Sequence, residues 1–235
     1  MGEIKTLGIL LHKTILGNDD GLLEFFTPEF GKITVSVKAF GRSAKRTREI
    51  DFFRLMELVI FQGRGSKSLR GVTTIKMFHG FNTNLELNQK GFQWLQTLRH
   101  ITSEDKPTQR FFEFICKFLD EARNGDCPIC DCYLRLKIIQ WLGLLPDLDS
   151  ELCKREKISE STVKILEFLS QSDIAGVFAK LPHIPATSLR EIEEFLEKRE
   201  GKGEYGNVLS LRAKRGNLRD CFAFTSFILA MATMK

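Results

Sequence analysis

With 235 residues, 43% of them apolar and 28% charged, the chain is long enough to bury a sizeable core and to form more than one domain. The formal net charge of +5 is concentrated: Lys32–Lys76 holds eleven Lys/Arg against three Asp/Glu, while the remainder carries 24 basic and 27 acidic residues. No apolar run is long enough to span a bilayer, and Met1–Lys5 lacks the start of a secretory leader, so the expectation is a cytoplasmic protein without a membrane role.

The first eighty residues read as five short strands: Lys5–Lys13, Gly21–Thr27, Lys32–Phe40, Arg54–Gln62 and Ser68–Met77. In the third, Ile33, Val35 and Val37 alternate with Thr34, Ser36 and Lys38, the pattern of a half-buried sheet. The links between strands have turn chemistry. Asn18-Asp19-Asp20-Gly21 makes the first, Glu29-Phe30-Gly31 the second with Gly31 free to take a positive φ, and Gly63-Arg64-Gly65-Ser66 the third. Short strands without crossover helices favour a barrel over a doubly wound sheet.

Between the third and fourth strands lies Gly41-Arg42-Ser43-Ala44-Lys45-Arg46-Thr47-Arg48. Arginine forks grip phosphate oxygens and stack on bases. Lys38, Arg42, Lys45, Arg46, Arg48 and Arg54 are therefore candidate DNA-binding residues, and Arg64, Lys67 and Arg70 are candidates to continue the track. The alternative is a solvated loop. Phe40, beside the loop, is a candidate for stacking on bases, against the plainer reading of a core residue.

After about Gly80 the period becomes helical. Phe92, Leu95, Leu98 and Ile101 mark one helix, and Phe111, Phe114, Ile115, Phe118 and Leu119 a second after Pro107. A third runs from about Cys132 to Leu142 and stops at Gly143. Val163, Leu166 and Leu169 mark a fourth. The last opens with Ser188 and Glu191 at capping-box spacing. The fold class expected is α+β: an OB-fold nucleic-acid-binding barrel over residues 1–80, then an all-helical domain over 81–200. Residues 201–235 read as a linker and tail without convincing period, although the basic flank of Cys221–Met234 would also suit a membrane surface.

Six cysteines (Cys116, Cys127, Cys130, Cys132, Cys153, Cys221) read as thiols before disulfides. Cys127, Cys130 and Cys132 have the spacing of metal or redox chemistry, yet no second pair follows to complete a tetrahedral site. The expectation is no metal and no cofactor. His12, His79, His100 and His183 are scattered, with no serine elbow, phosphate loop or acidic pair, so phosphates would be held and not hydrolysed, and no enzyme is expected.

Several segments together resemble a known family, the bacterial DNA repair protein RecO. They are Leu7–Lys13, Leu22–Lys32 with its Thr-x-x-x-Gly-Lys pattern, Val37–Arg42, Phe53–Leu58, and Leu136–Leu148 with Leu-Gly-x-x-Pro-x-Leu. The resemblance covers roughly residues 1 to 200. It implies a non-enzymatic recombination mediator that binds single- and double-stranded DNA and anneals complementary strands. It also implies cooperation with RecR and with the acidic C-terminal tail of the single-stranded DNA-binding protein, indirect assistance to RecA, and a place at the nucleoid. Lys38, Arg42, Lys45, Arg46 and Arg48 fall in the family's DNA-contacting loop, and Arg135 and Lys137 are candidates to meet the acidic tail. Two departures are visible. Only Cys153 occupies the region of the family's four zinc-binding cysteines, and the segment after Glu200 does not look like the family's ending. The rival reading is an OB-fold and helical interaction scaffold whose basic loop meets an acidic protein.

Overall fold

The computed structural model describes residues 2–42, 48–104, 106–124, 127–181 and 183–200. Strand β1 (Gly2–Ile15) is long enough to serve two neighbours. Its first half pairs antiparallel with β4 (Arg54–Gln62), from Gly2↔Gln62 to Ile9↔Leu55, and its second half with β2 (Gly21–Thr27), from Ile9↔Phe26 to Ile15↔Gly21. β2 pairs with β3 (Gly31–Val37), and β4 with β5 (Lys67–Met77). A parallel pair, Ser36↔Ser68 between β3 and β5, closes the barrel in the order β1-β2-β3-β5-β4.

Alternation along the strands fills the barrel with Leu10, Leu23, Phe25, Ile33, Val35, Val37, Met56, Leu58 and Ile60. Phe40 joins them with none of its surface exposed, so it is a core side chain and no stacking platform. It also marks where the expected third strand runs too far. The alternation of apolar odd positions reaches Ala39 in the sequence, but Ala39 takes φ +52° and the strand stops at Val37. Gly31 has φ +63°, as the turn reading requires.

Seven helices follow among the described residues: α1 (Leu85–Ile101), α2 (Gln109–Glu121), α3 (Cys127–Trp141), α4 (Ser150–Glu156), α5 (Glu160–Gln171), α6 (Ile174–Lys180) and α7 (Ala186–Glu200). The fold is thus α+β. Asn84, Asp149, Ser159 and Asp173 cap α1, α4, α5 and α6 by accepting a backbone N–H in the first turn. Helix α3 begins five residues before the expected Cys132, with Pro128 in its first turn, where proline is tolerated. It ends at Gly143, φ +72°, whose N–H reaches Gln140 O. Buried residues lie on most sides of α3, which packs against α1, α5 and α7.

The expected capping box at Ser188 and Glu191 does not form, because α7 already begins at Ala186. Glu191 instead crosses to α5, accepting from Ser159 N at 2.9 Å and Ser159 Oγ at 2.8 Å. Its carboxyl is held below the usual range by hydrogen bonds from Thr162 and Ser159.

A second apolar core joins the barrel to the helices. Ile9, Leu11 and Phe26 face out of the barrel into a cluster that continues through Trp94, Ile115, Phe118 and α3. Phe26 meets Phe111 and Phe112 at ring-centroid distances of 5.9 and 5.3 Å, and Phe53 stacks on Phe81 at 4.2 Å. A polar tie adds to this: Arg99 at the end of α1 grips Glu24 of β2 with two hydrogen bonds, 2.7 and 2.5 Å.

Burial works to raise the Glu24 pKa, but the hydrogen bond and charge of Arg99, with the charges of His12 and Lys32, together outweigh it and leave the carboxyl below its usual 4.5. A carboxyl lowered by folding contributes stability that is complete above about pH 4.5 and is lost as pH falls through its folded pKa. Glu24→Gln should therefore cost roughly 1.5–3 kcal/mol at pH 7 and less at pH 3, below the usual carboxyl range. Urea titrations at the two pH values read this directly, and an equal cost at both would contradict it.

Candidate nucleic-acid interface

The β2–β3 hairpin presents Leu22, Glu24, Lys32, Thr34 and Ser36 on its outer face, alternating with the core positions. A groove of about 460 Å³ lies on this face. Leu22, Thr34 and Ser36 line its floor, the β4–β5 loop with Arg64 and Lys67 one rim, and Glu104 another wall. The loop is held by Gly63 N–H donating to Ser66 O at 2.9 Å. Ser36 Oγ donates to Lys67 O at 3.3 Å, which ties the rim to the floor.

The nine candidate residues fall into separate places. Arg64 is exposed and Lys67 half-buried at the groove rim. From the parallel pair Ser36↔Ser68, the chain runs the same way on both sides to Lys38 and Arg70, each two residues on. Both are exposed, and the Arg70 guanidinium lies over Phe61 at 5.3 Å. These four form the groove group.

Arg42 belongs to the next turn. Its Nε donates to Asp19 Oδ2 at 2.6 Å, while Gly41 N–H reaches Asp19 O and Ala39 N–H reaches Asp20 Oδ1. The β1–β2 loop therefore fixes the root of the basic loop. Gly21 makes room for this: a Cβ there would lie 2.8 Å from Phe40. Lys45 and Arg46 lie outside the described residues.

The far root is Arg48 and Arg54. Arg48 is exposed, and its carbonyl accepts from Arg54 Nη1 at 3.0 Å. The Arg54 side chain, only 22% exposed, faces Asp51 at 3.8 Å, and Asp51 also meets Lys13 at 3.4 Å. This geometry suits Arg54 to anchoring the loop. It starts β4, whereas Gln62, paired with Lys67, ends that strand, a separation of about 26 Å along it.

Sequence reading missed the groove's floor and its acidic wall. The outward alternation of Thr34 and Ser36 signals the floor, whereas Glu104 stands seventy residues from the hydroxyl it accepts from, Thr34 Oγ1, at 3.2 Å. Arg135 and Lys137 are engaged internally. Arg135 makes two hydrogen bonds to Glu200, at 2.7 and 2.9 Å, and Lys137 donates to Ser170 O.

Cys127, Cys130 and Cys132 are buried within α3, and burial above all pushes the Cys132 thiol up to about 12. A thiol so raised is not a ready nucleophile or ligand at neutral pH. Among the described residues no group of three or more His, Cys, Asp or Glu is placed to hold a metal ion. No helix among them is long and apolar enough to cross a membrane.

A five-stranded barrel of this strand order, with cationic residues around its β2–β3 face, defines an OB-fold protein. Its residues 1–78 match the family model for the N-terminal domain of recombination protein O. Over this N-terminal third the chain resembles the RecO family. It is 21% identical over 210 residues to a DNA repair protein RecO of Dehalococcoides mccartyi (strain ATCC BAA-2266 / KCTC 15142 / 195), covering 75% of this chain and 81% of that one. The RecO of Dehalococcoides mccartyi strain CBDB1 is 24% identical over 152 residues, and there the match spans 62% of this chain and only 58% of the relative's length. The RecO of Bacillus pumilus is 25% identical over 189 residues, covering 79% of this chain and 74% of that one.

Proposed function

We propose that this protein binds DNA in repair and recombination, holding strands by their phosphates without hydrolysing them. The observation that carries this is the groove on the OB-fold face, rimmed by Arg64 and Lys67 and adjoined by Lys38 and Arg70. Relatives bearing the name DNA repair protein RecO agree with it. Lysine and arginine neutralise phosphates on strands that would otherwise repel one another, which favours annealing. On this reading the barrel over residues 1–80 holds DNA, and the basic loop with Arg42, Lys45, Arg46 and Arg48 extends the contact. The helices over 81–200 dock protein partners, RecR and the single-stranded DNA-binding protein among them, in the service of RecA loading at the nucleoid.

The test is annealing of complementary oligonucleotides coated with single-stranded DNA-binding protein, together with direct binding across a salt series. The native chain should accelerate annealing. Replacing Arg42, Arg64, Lys67 and Arg70 with Glu should abolish that acceleration. It should also flatten the log–log salt dependence by about 0.7 for each single-strand phosphate that the protein no longer neutralises. A folded native chain that binds no oligonucleotide would leave the protein-interaction scaffold as the better reading.

A further inference from the structure

Glu104 is the feature of the groove that simple phosphate binding does not explain. It puts an acidic wall into an otherwise cationic site, and among the described residues no cation pairs with it. Its position is built and not incidental. Residues 102–104 cross the start of β3, where Lys32 N–H donates to Ser103 O at 3.0 Å and Glu104 forms backbone bridges with Gly31 and Lys32. Thr108 N–H reaches Pro28 O at 2.8 Å on the other side. Gly31 permits the crossing, since a Cβ there would lie 2.5 Å from Ser103 O and 2.6 Å from Lys106 O. Thr34 then donates to the carboxylate and aims it across the floor.

We infer that Glu104 is a specificity-determining residue that makes the groove select unpaired bases over bare phosphate. This rests on the DNA-binding reading above. A phosphate entering the groove meets a like charge at Glu104, so the backbone is driven to the Arg64–Lys67 rim. The bases of the same strand then turn toward Leu22, Thr34 and Ser36. Leu22, 39% exposed, gives a base an apolar surface, and the carboxylate accepts from base amino groups such as cytosine N4, as acidic side chains do elsewhere. A duplex has these Watson–Crick donors already paired and carries phosphates along both edges. It gains less from the floor and is repelled by the wall.

The experiment uses the full chain and three probes of equal length: a cytosine-rich single strand, its duplex, and an abasic phosphodiester strand. The native protein should bind the single strand at least about tenfold more tightly than the abasic one. Glu104→Gln should strengthen abasic and duplex binding several-fold without a matching gain for the single strand, so that the preference shrinks. Thr34→Val, which removes the hydroxyl that aims the carboxylate, should shrink it in the same direction. Equal changes on all three probes, or no change in either variant, overturn the inference while leaving DNA binding intact. Failure of the native chain to bind any probe removes the DNA-binding reading, and this inference with it.

Discussion

Phe26→Ala should lower the stability of the chain by about 3–5 kcal/mol, the range for emptying a fully buried phenylalanine site. Phe26 has no exposed surface, yet it points away from the barrel interior, which its neighbour Phe25 fills. Its ring sits against Phe111 and Phe112 at the start of α2. Both rings belong to α2 and Phe26 to β2, so the space left by truncation lies between barrel and helix and closes only if one shifts against the other. The loss falls on the contact between barrel and helices. Chemical denaturation followed by far-UV circular dichroism measures it. A cost below about 1 kcal/mol would mean that barrel and helices scarcely support each other through this ring.

Gly31→Ala is the second substitution with a large expected effect. The left-handed backbone costs a non-glycine residue roughly 1–2 kcal/mol, and Gly31 sits there at φ +63°. The new methyl would also meet two backbone oxygens, Ser103 O and Lys106 O, which no side-chain rotation can move. Ser103 and Lys106 must lift away, with loss of the bond from Lys32 N–H to Ser103 O, worth about 1 kcal/mol. The expected total is about 2–4 kcal/mol, with faster hydrogen exchange at the Lys32 amide. Unchanged protection at that amide would contradict the tight crossing. Because Glu104 follows Ser103 directly, the substitution should also weaken the single-strand preference inferred above.

The strands are legible because each announces itself twice, by alternation and by turn residues at its ends. Where one signal fails, the reading slips. Beyond Val37 the alternation runs on to Ala39, where the backbone turns instead. The long helices are legible by period, but α4 and α6, seven residues each, are too short for a period to emerge. Only their caps, Asp149 and Asp173, mark them. Glu191 shows a different limit. Its spacing from Ser188 is that of a local cap, yet its partner is Ser159, brought close only by the packing of α7 on α5.

The candidate site divides in the same way. Charge alone points to Arg64, Lys67 and Arg70, and alternation points outward at Thr34 and Ser36. Neither can join the two groups, because that takes the parallel pair Ser36↔Ser68 between strands distant in sequence. Nor can charge distinguish Arg42, exposed beside Asp19, from Arg54, mostly covered and holding the Arg48 carbonyl.

That same parallel pair has a mechanical consequence. Four antiparallel ladders hold the rest of the ring, whereas the seam beside the groove has one register pair and the Ser36 Oγ–Lys67 O hydrogen bond. Parting it would swing the Arg64–Lys67 rim away from Thr34 and Ser36 while every other strand keeps its neighbours. The most compliant line in the barrel thus runs along the edge where a bulky, irregular polymer would have to enter and leave.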